Sequence, residues 1–438
     1  MSITELYQVY LKHPRIQTDT RQLQPGDFFF ALKGDRFDGN AFVGQALATG
    51  AAAAVVDDPA AYIDSRTIVV ADVLHTLQQL AKYHRQQFKI PFIAITGSNG
   101  KTTSKELVHA VLSTHFKTYT TQGNLNNHIG IPLTLLRVGA DAEMAVIEMG
   151  ANHQQEIAGY CQYALPTHGI ITNCGKAHLE GFGGVEGVKK GKGELFDFMR
   201  DHQGTAFVMW DYDYLRSMCQ GITPCITYGS QEADYQGEIV PGHPPSTLAP
   251  FLQVKLIHTP QTNEKQDLLI KTQLVGNYNF ANVMLAVAVG SHFGVPLQKI
   301  AAAIEAYAPS NSRSQLLQQG TNTIILDAYN ANPTSMRAAI ENFASIDADK
   351  KVLLLGAMAE LGHESLAEHR SIVALIAQYP WEQVALVGGD FNKIEHPFLR
   401  FENATEAGQW LRQQQLEHTH LLIKGSRSSQ MELVMQKL

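Results

Sequence analysis

The sequence predicts an α/β protein of three domains built on mostly parallel sheets. Three observations carry that expectation. The chain has 438 residues, which at roughly 150 residues per domain is close to three domains. Its last third alternates apolar strand-like runs with helical stretches, the pattern of a parallel sheet covered on both faces. Near residue 97 an apolar run passes through a glycine-rich turn into a helix, again a strand–loop–helix unit.

The first unit, residues 1–89, reads as a small α/β domain. Phe28 to Leu32 is a short apolar strand, 41–49 a helix, and 52–56 and 67–70 further strands. Residues 74–88 place apolar side chains at helical spacing. Lys89-Ile90-Pro91 ends the unit, because proline drives the residue before it out of the helical region. The second unit, 90–309, opens with the strand Phe92 to Thr96 and a helix from Ser104 to His115. Strands follow at 144–148, 169–172, 251–257 and 268–274, then an alanine-rich helix from Phe280 to Phe293. Turn composition at Pro309-Ser310-Asn311-Ser312 marks a linker. The third unit, 310–438, has strands at 323–326, 351–355, 383–387 and 420–423, with helices starting near Pro333, Ser365, Thr405 and Arg427.

Composition excludes several classes. The hydrophobic fraction is 45% and the charged fraction 17%, so the chain can bury a large core and is not a disordered polymer. Net charge is −7, from 34 basic and 41 acidic residues, which argues against a general nucleic-acid binder. No apolar run approaches the roughly 18 residues of a membrane span, and no signal peptide is expected. The 4 cysteines form no Cys-x-x-Cys pair, which fits a reducing cytoplasm.

Gly97-Ser98-Asn99-Gly100-Lys101-Thr102-Thr103 lies between the apolar strand and its helix, as a phosphate-binding loop requires. The glycines let backbone amides approach phosphate oxygens, and the helix N-terminus adds partial positive charge. Lys101 would reach the β/γ-phosphates and Thr102 would offer its hydroxyl to Mg2+. The spacing is shorter than the usual eight-residue form, since the first glycine would have to stand at Ile95. A guanine-selecting Asn-Lys-x-Asp is missing. Asn392-Lys393-Ile394-Glu395 lies in the wrong unit and ends in glutamate, so ATP is the expected nucleotide. Glu148 ends an apolar strand whose C-terminal end should face the same crevice. It is either a second Mg2+ contact or an ordinary acid at a strand end.

Together with this loop, Gly123-Asn124-Leu125-Asn126-Asn127-His128-Ile129-Gly130-Ile131-Pro132, Glu148-Met149-Gly150 and Ala177-His178-Leu179-Glu180 resemble the Mur ligases, ATP-dependent amide-bond-forming enzymes. Asp19-Thr20-Arg21, residues 31–39, Asp327 to Pro333, Gly356 to Gly362 and Lys424 to Arg427 agree too. The resemblance implies a small N-terminal α/β domain for a UDP-sugar, a central P-loop ATPase-like domain, and a C-terminal Rossmann-like domain completing the site. It implies ATP and Mg2+ as cofactors. The implied substrates are UDP-N-acetylmuramoyl-tripeptide and D-alanyl-D-alanine, joined through an acyl phosphate in cytoplasmic peptidoglycan-precursor synthesis by a monomer. A sister ligase adding a single amino acid is the near alternative, and an ATP-binding switch or motor the distant one.

Residue roles implied by the resemblance are as follows. His178 and Lys192, the latter as a carbamate, would hold a second Mg2+. Without the family, His178 is an ordinary histidine and Lys192 a solvated helix lysine. Asn126 and Asn127 would touch the substrate, although Asn-Asn alone is a turn signal. Asn279 and Asn282 would lie near the adenine, with helix capping as the alternative. Many members carry histidine where Tyr278 stands. Asp327 would accept ribose hydroxyls and Arg313 would reach the γ-phosphate, or else stay a linker arginine in solvent. Thr20, Arg21, Lys33 and Arg36 would hold the UDP-sugar, and Asn330 the substrate. The Lys33 to Arg36 stretch could equally be an exposed hairpin tip. Ala357 stands where an aspartate is usual.

Overall fold

The structure is a computed structural model that describes residues 1–34, 36–240, 251–260, 267–310 and 312–435. Asp35 of the charged loop and Asn311 of the expected linker lie outside the described residues. Among the described residues the strands form sheets of 4, 9, 6 and 2 strands, the three larger ones following one another along the chain. This is the α/β class that strand–helix alternation predicts.

The first sheet is parallel throughout, with Ile16–Gln17, Phe28–Phe30, Ala53–Val56 and Thr67–Val69 side by side in chain order. Its two inner strands, Phe28–Phe30 and Ala53–Val56, are continuous apolar runs because both faces are covered. Phe28 and Phe30 face one buried cluster, and Phe29 faces another with Val43 and Leu47. Lys33–Gly34 and Phe37–Asp38 pair as a small antiparallel hairpin on the surface.

In the central sheet, Phe92–Thr96 lies between Met144–Glu148 and His168–Ile171, all parallel. Thr205–Met209, Cys225–Gly229 and Tyr235–Ile239 extend it in parallel, and Phe251–His258 and Leu268–Val275 finish it as antiparallel strands. The helix Phe280–His292 is buried nearly all round, as its apolar sequence requires. The third sheet orders Gln315–Gln319, Asn322–Asp327, His420–Lys424, Lys351–Gly356, Gln383–Val387 and Leu399–Phe401. Only its first pair is antiparallel.

Several expected boundaries move. The helix after the phosphate loop starts at Lys101, not Ser104, because Gly100 at φ +79° serves as its N-cap. The helix expected at 41–49 is a 3-10 turn, Gly39–Phe42, followed by Val43–Thr49. The helix expected from Arg427 is corrected to two 3-10 turns, Arg427–Ser429 and Met431–Val434, separated by Gln430 at φ +49°. Ser429 donates to the Ser426 carbonyl at 2.7 Å, a local bond that competes with helix propagation. Among the described residues no helix is long and apolar enough to cross a membrane.

Candidate active site

The register of the central sheet builds the site. Ile95 pairs with Glu148 on one side and Thr96 with Ile171 on the other. The glycine turn, the Glu148 carboxyl and the Thr172-Asn173 segment therefore meet at one sheet edge. Gly97 sits at φ +143°, and a Cβ there would lie 2.0 Å from Thr172 Oγ1; one at Gly100 would lie 2.7 Å from Asn282 Oδ1. No side chain fits at either position. The turn is held from below: Ser98 N donates to Asn173 O at 2.9 Å, Asn99 N to Asn173 Oδ1 at 3.0 Å, and Thr172 Oγ1 to Asn99 O at 2.7 Å. The first-turn amides from Lys101 to Thr103 have no partner within their own helix, so they are the donors open to a phosphate.

Lys101 folds back onto its loop, donating to Gly97 O at 2.6 Å. Burial pushes its pKa down, the Glu148 charge pulls it up, and Arg313 lowers it further. Thr102 is buried beside it. Glu148 is 2% exposed. Its Oε1 accepts from Asn126 Nδ2 at 2.8 Å, while Oε2 is buried with no hydrogen-bond partner. Such an oxygen is costly to leave unpaired.

Lys192 is not a solvated helix lysine. It is 1% exposed, donates to Ala151 O at 2.9 Å and lies 4.9 Å over the Phe182 ring. Burial, with the nearby Lys101 charge, brings its pKa down to about 7. A signal for this was present. In the helix Val185–Asp201, Lys192 shares its face with Val188, Leu195, Phe196 and Met199, all buried. His178, at φ +54°, places Nδ1 2.5 Å from Glu360 Oε2 of the third domain. That imidazole holds the Glu360 carboxyl below its ordinary pKa.

Other expected residues are partly committed to structure. Asn127 Oδ1 accepts the amides of Ile129 at 3.2 Å and Gly130 at 2.8 Å. Asn279 Nδ2 donates to Val275 O at 2.9 Å, and Asn282 links Asn279 Oδ1 to Ser104 of the phosphate-loop helix. Both asparagines are buried against the loop. Asp327 accepts from Lys424 Nζ at 2.5 Å and from Ser314 N at 3.2 Å. Lys424, buried and fixed on this carboxylate, was not among the expected site residues. The Arg313 guanidinium is 3.5 Å from the centre of the Tyr329 ring. The Tyr278 hydroxyl meets Ser314 Oγ at 3.0 Å, and Asn330 Oδ1 accepts its neighbour's amide at 2.9 Å.

The third domain touches the phosphate loop itself. Asn332 caps the helix Pro333–Ser345 through Oδ1, and its Nδ2 donates to Asn99 Oδ1 at 2.7 Å. Lys176 N donates to Thr334 Oγ1 at 3.0 Å, and Lys176 Nζ meets Glu368 Oε1 at 2.5 Å. The first-domain candidates are not drawn into this cluster. Arg21 is 86% exposed and paired with Asp19. Lys33 pairs with Asp57 at 3.0 Å, Thr20 lies in a 3-10 turn, and Arg36 stands exposed on the hairpin. An open cavity of about 480 Å3 is lined by the helices Val73–Arg85 and Glu156–Ala164. His75, Gln78, His128, Gln155 and Tyr163 line it.

Comparison with known proteins agrees with this geometry. Residues 14–85 match the catalytic domain of the Mur ligase family, 95–290 the Mur ligase middle domain, and 312–427 the glutamate ligase domain of Mur ligases. The UDP-N-acetylmuramoyl-tripeptide–D-alanyl-D-alanine ligase of Escherichia coli is 36% identical over 433 residues, 97% of this chain and 93% of that one. The Bacillus subtilis protein of the same name is 35% identical over 385 residues, 85% of this chain and 79% of that one. A crystal structure of MurF from Acinetobacter baumannii superposes with a TM-score of 0.86 at 33% identity, covering 99% of this chain and 97% of that one. With three family domains matched in order and relatives aligned over nearly the full length, the chain belongs to the Mur ligase family.

Proposed function

We propose that this chain is the ATP-dependent ligase that joins D-alanyl-D-alanine to UDP-N-acetylmuramoyl-tripeptide in cytoplasmic peptidoglycan-precursor synthesis. One observation carries the chemistry. The glycine turn, Lys101, Glu148 and Lys192 converge at the C-terminal edge of the central sheet, and Asn332 of the third domain reaches the turn. The full-length relatives bearing this activity support the choice of substrates. The working units are 1–89, 90–309 and 310–438.

A carboxylate is a poor electrophile because oxide would have to leave. Transfer of the γ-phosphoryl group to the tripeptide's terminal carboxylate supplies a good leaving group. The amine of the dipeptide then attacks the carbonyl carbon, and phosphate departs from the tetrahedral intermediate. Two anions must meet in the first step, so fixed cations have to offset their repulsion. Lys101 supplies one. A phosphate oxygen is a stronger acceptor than the Gly97 carbonyl it now touches. Arg313 is the second cation, arriving with the third domain.

The donors also suit a magnesium ion. Glu148 offers a buried carboxylate oxygen without a partner, and Thr102 is buried beside the loop. Among the described residues no group of three or more His, Cys, Asp or Glu is set to cage a metal, which matches an ion held mostly by phosphate oxygens and one or two protein donors. Bound there, it would neutralise charge on the transferring phosphoryl group. His178 and Lys192 are the proposed holders of a second ion. With a pKa of about 7, roughly half of Lys192 is a neutral amine at neutral pH, the form that adds CO2 to give a carbamate.

Incubation with ATP, Mg2+ and UDP-N-acetylmuramoyl-tripeptide, plus either D-alanyl-D-alanine or single amino acids, tests the assignment. Product is expected with the dipeptide alone, with one phosphate released per bond. Product with a single amino acid would select the sister-ligase alternative. Phosphate release that ignores the acceptor would select an ATPase switch.

A further inference from the structure

We propose that Tyr329 is a positioning residue: its ring holds the Arg313 guanidinium in one plane, with the N–H groups free to meet a transferring phosphoryl group. The inference rests on the reading of Arg313 as the second cation above and adds what keeps that cation in place.

The contact is built by backbone as well as side chain. The guanidinium carbon of Arg313 lies 3.5 Å from the centre of the Tyr329 ring, well inside the roughly 6 Å over which a ring face attracts a cation. Tyr329 N donates to the Ser312 carbonyl at 3.2 Å, and Arg313 N donates to that of Ser310 at 3.3 Å. Ser312 and Ser314, on either side of the arginine, adopt left-handed backbone at φ +55° and +50°. Non-glycine residues rarely do so unless their surroundings hold them there. Ser314 is held twice, by its N–H on Asp327 Oδ1 at 3.2 Å and by its Oγ against the Tyr278 hydroxyl at 3.0 Å. The strand Asn322–Asp327 ends two residues before Tyr329, so the ring is carried by the sheet of the third domain.

The chemistry follows from the shape of the guanidinium. An unsupported arginine samples many rotamers, and fixing one of them during the reaction costs free energy. Stacked flat, the group gives its face to the ring and keeps its N–H donors at the edge. A ring steadies the cation without neutralising it, as a carboxylate partner would. The charge is felt at the phosphate loop: burial lowers the Lys101 pKa most, and Arg313 lowers it further. Like charges are thus gathered around one point, and a polyphosphate relieves their repulsion. Ring and arginine both belong to the third unit, so the cation keeps its orientation as that domain docks.

The test uses full-length Tyr329→Leu, Tyr329→Phe and Arg313→Ala enzymes and the Tyr329→Leu, Arg313→Ala double variant. Arg313→Ala should lower kcat about a thousandfold. Tyr329→Leu keeps apolar bulk but has no ring face. It should lower kcat about tenfold, with KM for ATP within about twofold and native circular dichroism. Tyr329→Phe should recover turnover, since the hydroxyl takes no part. In the Arg313→Ala background, Tyr329→Leu should cost nothing more. Independently of turnover, NMR of arginine-labelled wild-type enzyme should show Arg313 shifted by the ring current, assigned by the signal lost in Arg313→Ala. The shift should persist in Tyr329→Phe and vanish in Tyr329→Leu. Wild-type kcat in Tyr329→Leu, an equal loss in both arginine backgrounds, or no ring-current shift in the wild type would overturn the proposal. An active Arg313→Ala enzyme would overturn the placement of Arg313 itself, and the proposal with it.

Discussion

At the phosphate loop the charged groups are already largely withdrawn from water. Without any nucleotide Glu148 and Lys192 are buried and Lys101 is half-buried, and Glu148 keeps one oxygen unpaired. On the first domain the opposite holds. Arg21, Lys33 and Arg36 stand in solvent, and the first two pair with acids of their own surface, Asp19 and Asp57. The difference separates two kinds of site. Burying charge costs stability but leaves a field that need not reorganise when the phosphoryl group moves. Exposed pairs are worth about 0–1 kcal/mol and are readily exchanged for a ligand's phosphates. On the proposed function, chemistry would belong to the first region and capture of the UDP-sugar to the second.

The largest break in this contrast should come from Lys101→Ala. Turnover should fall on the order of a thousandfold, as for other lost transition-state contacts, while circular dichroism stays native. A folded variant with substantial ligase activity would remove the loop from the mechanism. Lys192→Met should also lose most activity, yet melt at a higher temperature. Burial holds the lysine near pH 7, against an ordinary value of 10.5. The unfolded chain therefore binds more protons between those values, and the cost of the buried lysine is full below pH 7 and fades towards 10.5. The stability gain of Lys192→Met should shrink over that range. A gain that grows with pH would contradict it.

On the exposed side, Arg21→Ala and Lys33→Ala should raise KM for the UDP-substrate about tenfold, the worth of one charged contact. Their kcat should hardly change, and stability should move by no more than about 0.5 kcal/mol. Loss of kcat with KM untouched would place these residues in the chemistry. The smallest effect concerns His84, at the seam between the first and central domains. Its Nε2–H donates to Val138 O at 2.9 Å, so Nδ1 accepts from the Tyr7 hydroxyl at 3.0 Å. Burial lowers its pKa from 6.5. Below pH 6.5 the unfolded chain takes up the proton first, so stability should fall as the pH drops. In thermal melts His84→Gln should flatten that slope; an unchanged slope would assign it to other groups.

The same contrast explains what the sequence disclosed. Gly97 and Gly100 were legible because backbone sterics at a turn that approaches its neighbours so closely admit nothing larger. Glu148 was legible from its place at the end of an apolar strand, once sheet register set it opposite Ile95. Lys192 was legible only through the resemblance, although its helical face is apolar. Asn332 escaped because its contact with Asn99 depends on which surfaces of two domains meet, and Lys424 because Asp327 faces it from the neighbouring strand of one sheet; no local pattern encodes docking or strand order. The Arg427 segment was misread as helix because Ser426 and Ser429 bond locally instead. Asn127, Asn279 and Asn282 show the reverse risk. Their types suit a ligand, and the fold uses them for its own amides and carbonyls.

The central claim, that the turn at 97–103 hands the outer phosphoryl group of ATP to a peptide carboxylate, has a direct test. The UDP-N-acetylmuramoyl-tripeptide is labelled with oxygen-18 in its terminal carboxylate, and the phosphate released during ligation is analysed by mass. One labelled oxygen in each phosphate is the expected result, because the carboxylate oxygen leaves with the phosphoryl group. Phosphate free of label, with bond formation intact, would contradict the account.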